Sequence, residues 1–203
     1  TRDLSVSDVS FHALREYVAG DDRRSIHWKT TARTGRLMVR QYTDTRRSHL
    51  AVALSVNPAD YADPEEFELA VSVAGSLALQ AVREEKGVTV LTQAGVLPGG
   101  SGQRLLDGLA GVELIDGVAP LRDLARTTGA TVPEASAVAF VAGSTVAADQ
   151  WQRASAEVPL GALGFALACH PGTEPARRTI ADFLVLAVGE LGALGLVMRR
   201  VGA

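Results

Sequence analysis

From His49 onward the chain alternates short, unbroken apolar runs with longer stretches of helical periodicity. HLAVALSV (49–56), closed by Asn57-Pro58, shows no polar alternation, which is how a strand covered on both faces reads. Asp63, Pro64 and Glu66 then stand as N-cap, first-turn proline and capping-box glutamate of a helix. Its apolar positions from Phe67 to Val82 cover more than one face, and the pattern carries it to Lys86 with a left-handed stop at Gly87. VTVLTQ (88–93), VELID (112–116), SAVAFVAG (136–143), ALGFALACH (162–170) and DFLVLAVG (182–189) read as further strands. The intervening 102–110, 120–128, 146–156 and 190–200 read as helices, and PGTEPARR (171–178) as a loop. Strands alternating with helices predict an α/β domain over 49–203: a mostly parallel, Rossmann-type sheet with helices on both faces.

Residues 1–48 do not share this alternation. They read as an extended polar lead and two strands near 11–18 and 36–43, a hairpin-like appendage entering the first strand of the sheet. Ile26 and Trp28 alternate with His27 and Lys29, consistent with a short extended piece having one buried face; if the stretch is a structural strap, Trp28 is its buried anchor.

Charge sharpens the division. Residues 15–47 hold nine of the 20 basic side chains against four acids, so this stretch is +5 and the remainder −8 in a chain of net charge −3. One local basic surface is implied, rather than a generally nucleic-acid-coated protein. Arginine forks pair with carboxylates, so Glu16 and Asp21-Asp22 could tie the stretch together as a structural strap. Alternatively Arg24, Trp28, Lys29, Arg33 and Arg36 form a surface for an acidic protein partner, or for phosphate. Composition leaves these readings open. A single cysteine, Cys169, excludes an intramolecular disulfide framework, and four scattered histidines give no zinc spacing. The longest apolar run, 183–198, is too short for a membrane span and carries Glu190 and three glycines. Beginning at Thr1 in polar sequence, the chain reads as a piece of a longer protein.

The ordered residues Arg15, Glu16, Tyr17, Gly20, Asp21, Arg24, Ile26, Trp28, Lys29, Ala32, Arg33, Gly35 and Leu37, followed by HLAVALSVNPADY and a capped helix, resemble the signature of the domain-of-unknown-function 58 family of bacterial proteins. The resemblance implies a von Willebrand factor A-like sheet in a protein anchored to the membrane through segments outside this chain, on the cytoplasmic face of the inner membrane. Relatives are often encoded near MoxR-type AAA+ ATPases, which implies a scaffold or adaptor role with such a partner, and no enzymatic activity is established for the class.

Metal-binding von Willebrand A domains carry Asp-x-Ser-x-Ser at the end of the first strand, because a hard divalent cation demands oxygen ligands including a carboxylate. Here Ser55, Asn57 and Ala59 stand in those places, Gly143 precedes Ser144 after the central strand, and Val118-Ala119 occupy the expected threonine region. The expectation is a degenerate site with no metal and no cofactor. The crevice beyond the strand ends would still be lined by Ser55, Asn57, Ser144 and Thr145, either as a binding surface or merely as loop and helix caps. No nucleophile elbow is present, and GGSG (99–102) lacks the lysine of a phosphate loop. The sequence therefore predicts a non-catalytic protein-interaction domain. Its alternative is a nucleotide- or metal-dependent enzyme using the strand-end crevice.

Overall fold

The computed structural model describes residues 9–18, 26–44, 48–181, 183–199 and 201. The chain divides into two compact units, Thr1–Arg47 and Ser48–Ala203.

Unit 1 is a two-stranded antiparallel ribbon, β1 (Val9–Glu16) with β2 (Met38–Asp44), broken by a register shift between Phe11 and Ala13. Helix α1 (Trp28–Thr34) lies between them in sequence. The extended piece expected around Trp28 is therefore limited to Ile26, which bridges Val39 and is buried with it. His27 caps α1, its Nδ1 accepting from the Thr30 N–H at 3.3 Å, and Gly35 ends it at φ 70° with its N–H on the Thr31 carbonyl.

Unit 2 is built on a seven-stranded sheet. Its strands are β3 (His49–Leu54), β4 (Gly87–Thr92), β5 (Gly95–Val96), β6 (Ala137–Gly143), β7 (Leu163–Cys169), β8 (Ala176–Ile180) and β9 (Phe183–Val188), in the order β5-β4-β3-β6-β7-β9-β8. The five central strands are parallel and the two edge strands antiparallel to their neighbours. Strand order reverses between β3 and β6, so their carboxyl ends flank the crevice of this open α/β sheet. The apolar runs are buried from both sides. Val52, Leu54, Ala139 and Val141 face one core cluster with α2 (Pro64–Arg83) and α3 (Gly102–Ala110). Ala51, Ala53, Val138 and Phe140 face another with α4 (Leu121–Thr131) and α5 (Ala148–Ser155).

Several boundaries differ from the sequence reading. VELID (112–116) joins no ladder; Ile115 donates one hydrogen bond to the Val56 carbonyl, and Val112 and Leu114 pack on the core as irregular chain. Part of the expected loop 171–178 is edge strand β8, and the expected terminal helix is a 3₁₀ turn, Leu191–Ala193, followed by the short α6 (Leu194–Met198). Among the described residues no helix is long and apolar enough to cross a membrane.

Helix α2 ends at Arg83 rather than Lys86, and the left-handed residue is Glu85, at φ 55°. Its N–H reaches the Val82 carbonyl and that of Lys86 the Ala81 carbonyl, the paired bonds of a Schellman stop. Gly87 instead serves the sheet, where a Cβ would lie 2.6 Å from Nδ1 of His49 on the neighbouring strand. An L-residue at positive φ costs about 1 kcal/mol that glycine avoids. Glu85→Gly is therefore expected to raise the melting temperature by about 2–4 °C, and a lowered value in a thermal melt would contradict this account of the stop.

Candidate functional site

The strand carboxyl ends of unit 2 carry a connected set of polar groups. Ser55, fully buried at the end of β3, donates its hydroxyl to Asp60 Oδ2 at 2.6 Å and accepts from the Asn57 N–H at 3.2 Å and from Gln93 Nε2 at 3.0 Å. Gln93 closes the ring through Oε1, which accepts the Val56 N–H at 2.8 Å. Asn57 caps the 3₁₀ turn Pro58–Asp60, its side chain accepting from the Ala59 N–H at 3.1 Å. Tyr61 sits beneath, its hydroxyl donating to the Ser55 carbonyl at 2.5 Å and its ring edge-on to Phe67. Burial pushes the Tyr61 phenol well above its ordinary range, with Cys169, Asp60 and Glu66 adding to it, and burial raises the Asp60 carboxyl against the lowering effect of its Ser55 bond.

Glu66 binds the second half of the set. Its N–H donates to Asp63 Oδ1 at 2.9 Å, as an N-cap requires, but its side chain does not complete the expected capping box. The carboxylate is fully buried and turns across the crevice: Oε1 accepts from the Ser144 hydroxyl at 2.5 Å and from His170 Nδ1 at 2.7 Å. Oε2 accepts the N–H groups of Ala62 and Ser144, each at 2.9 Å. Burial alone would raise this carboxyl, but the bonds from His170, Ser144 and Ala62 outweigh it and hold the pKa down to about 2. Since a carboxylate only accepts, His170 carries its proton on Nδ1, and Nε2 belongs to a side chain that is half exposed. Three loops, those after β3, β6 and β7, thus meet on one carboxylate. Gly143 makes the approach possible: a Cβ there would run into the Asp60 carbonyl, Glu66 Oε2 and the Tyr61 ring.

Of the residues singled out from the sequence, Ser55 is inside the protein rather than lining an open crevice, Ser144 is spent on Glu66, and Thr145 donates to the Ala59 carbonyl at 2.7 Å. Ala119 contributes only its carbonyl, at 3.4 Å from Gln93 Nε2. Among the described residues no three His, Cys, Asp or Glu side chains are gathered to hold a metal, and the nearby carboxylates are already engaged, Asp60 by Ser55, Asp63 by the helix and Glu66 by its four donors. Cys169 is buried and its thiol pushed up to about 12, by burial first and by Glu66 second, which leaves it protonated and inert. A hollow of ≈ 400 Å³ lies at the opposite ends of the strands, lined by Leu50, Leu77, Ala81, Leu163, Phe165 and Met198.

Unit 1 presents a different surface. Trp28 opens α1 with 65% of its area exposed, so it is not the buried anchor of the strap reading. No residue of α1 is buried; Thr31 touches the ribbon by accepting the Met38 N–H at 3.0 Å, while Lys29 and Arg33, one turn apart, are exposed beside Trp28. Arg36 lies 3.6 Å from Glu16 in an exposed pair, as the strap reading expects. Arg24 and Asp21-Asp22 lie outside the described residues. Leu37 and Val18 are exposed as well.

Comparison with curated proteins gives no significant match. A family model covers residues 13–154, running from β1 through α1 and the whole strand-end set contributed by β3, β4 and β6, and stopping short of His170. The chain belongs to the family described as protein of unknown function DUF58.

Proposed function

We infer that this chain is a non-catalytic, metal-independent interaction domain, von Willebrand factor A-like in fold, of a membrane-anchored bacterial protein that engages a MoxR-type AAA+ ATPase. The observation carrying this reading is Trp28. A tryptophan 65% exposed on a helix whose neighbours are Lys29 and Arg33 gains little in the free domain. It has the composition of an interface centre, in which aromatic and arginine side chains supply most of the affinity. The strand-end set supports the same reading: Ser55 is bonded to Asp60 and Gln93, and Glu66 to Ser144, which makes this end of the sheet a stitched platform rather than a set of groups free to act on a substrate.

The test is binding of the purified chain to the MoxR-type ATPase of the same organism, measured by biolayer interferometry. Trp28→Ala is expected to weaken binding at least ten-fold, and Lys29→Glu with Arg33→Glu to weaken it further and remove its salt dependence. Because none of these side chains is buried, melting should stay within about 1 °C of the parent. Unchanged affinity in both variants would remove α1 from the interface.

A further inference from the structure

The sheet of unit 2 ends unequally. On one side the last strand, β5, has two residues; on the other β8 offers five, Ala176–Ile180, with its outer edge unpaired among the described residues. A two-residue connection joins β8 to β9, with Ile180 opposite Phe183, Arg178 opposite Val185 and Ala176 opposite Ala187. The pair closing such a hairpin exchanges both of its hydrogen bonds, and the bonded pairs then recur at every second position. Ile180, Arg178 and Ala176 therefore spend their backbone groups on β9. Arg177 and Thr179 direct theirs away from the sheet, in its plane.

The side chains complete the picture. Successive strand residues project to opposite faces, so Arg177 stands on one face of the edge and Arg178 on the other. Both are exposed, and neither has an ion-pair partner among the described residues. We propose that β8 is a docking edge for an extended segment of another protein bearing two consecutive acidic residues, which joins the sheet as an eighth strand. Adjacent residues of an added strand also point to opposite faces, so one carboxylate meets Arg177 and the next meets Arg178. The free N–H and C=O groups of Arg177 and Thr179 supply the ladder, as in recognition by strand addition. A second copy of this chain is the wrong occupant. Antiparallel self-pairing in the register that uses the whole strand sets Arg178 against Arg178, the next register sets Arg177 against Arg177, and like charges directly opposite are destabilising.

The experiment uses the whole chain and a capped, fluorescein-labelled peptide, Val-Thr-Val-Glu-Glu-Val-Thr-Val, followed by fluorescence anisotropy at low salt. Saturable binding is expected, weakened at least ten-fold when one valine is moved between the two glutamates, which puts both carboxylates on one face. Arg178→Glu should weaken it as much. Thr179→Pro removes an outward N–H without touching the bonds to β9, so it should abolish binding while leaving melting close to the parent value. Hydrogen exchange at the Arg177 and Thr179 amides should slow when peptide is present. Absence of binding at millimolar peptide would overturn the proposal and leave the arginines as guards against edge-to-edge aggregation. Binding that survives Thr179→Pro would also overturn it, as simple charge attraction, and so would dimerisation of the chain that Thr179→Pro abolishes.

Discussion

Replacing Glu66 by glutamine is expected to cost about 3 kcal/mol and to lower the melting temperature by roughly 6–12 °C at neutral pH. The carboxylate is fully buried and accepts four hydrogen bonds, from the Ser144 hydroxyl, His170 Nδ1 and the N–H groups of Ala62 and Ser144. An amide offers one oxygen and brings two N–H donors of its own, so it faces donors with donors. The pH dependence separates charge from shape. Glu66 is held at about 2 in the folded protein against an ordinary 4.5. A depressed carboxyl stabilises fully above its unfolded value, and that contribution fades as pH falls through 4.5 toward 2. The gap between parent and Glu66→Gln should therefore narrow by about 2 kcal/mol between pH 7 and pH 3. Asp60 acts in the opposite sense, since burial raises it and its protonation on acidification favours the fold, but it is present in both proteins and cancels in the comparison. Urea melts of the two proteins at both pH values decide the matter; a gap that does not change with pH would mean that the carboxylate's charge contributes nothing.

The residues that make Glu66 matter explain what was legible in the sequence and what was not. The central strands announced themselves because Ala51–Leu54 and Val138–Ala142 are buried on both faces, and a continuous apolar run has that one physical meaning. Asp63 and Pro64 likewise encode a helix start in two adjacent residues, and the start is where they place it. Glu66 was readable as a capping residue only as far as its own N–H. Its carboxylate is committed to Ser144 and His170, 78 and 104 positions away, and no local spacing encodes that distance. Gln93 left no signal for the same reason: it is one polar residue after a strand, made important by Ser55 approaching from β3.

Edge and surface elements failed in a different way. β8 reads as loop because an edge strand exposed over most of its length needs few apolar residues, and Ala-Arg-Arg-Thr-Ile has one large one, Ile180, at its end. The segment 112–116 failed in reverse, since Val112 and Leu114 pack on the core without the backbone ever joining a ladder. Around Trp28, two alternations of apolar and polar residues suggested an extended piece, while the stronger cues, His27 three residues before Thr30 and Gly35 after Thr34, were those of a capped single helix. That correction moves Trp28 from core to surface, and the interaction reading of unit 1 depends on it.

A second large effect is expected in the other core, at Trp151 on α5. The side chain is completely buried in the cluster with Leu121, Leu124, Val146 and Phe140, and removing it to alanine should cost about 3–5 kcal/mol, a fall in melting temperature of about 10 °C. Phenylalanine is expected to behave quite differently. Among the described residues, the indole N–H of Trp151 is a buried side-chain donor with no acceptor, and leaving such a donor unsatisfied costs about 1–3 kcal/mol. Trp151→Phe creates a smaller cavity than alanine does and at the same time deletes the unsatisfied group, so the two terms oppose each other and the net change should lie within about 1 kcal/mol. Equilibrium unfolding of the two variants side by side tests this. A phenylalanine variant as unstable as the alanine one would show that the N–H is engaged in solution. A near-neutral one would show that this core tolerates the indole for its volume, and that its polar edge is a burden the fold carries.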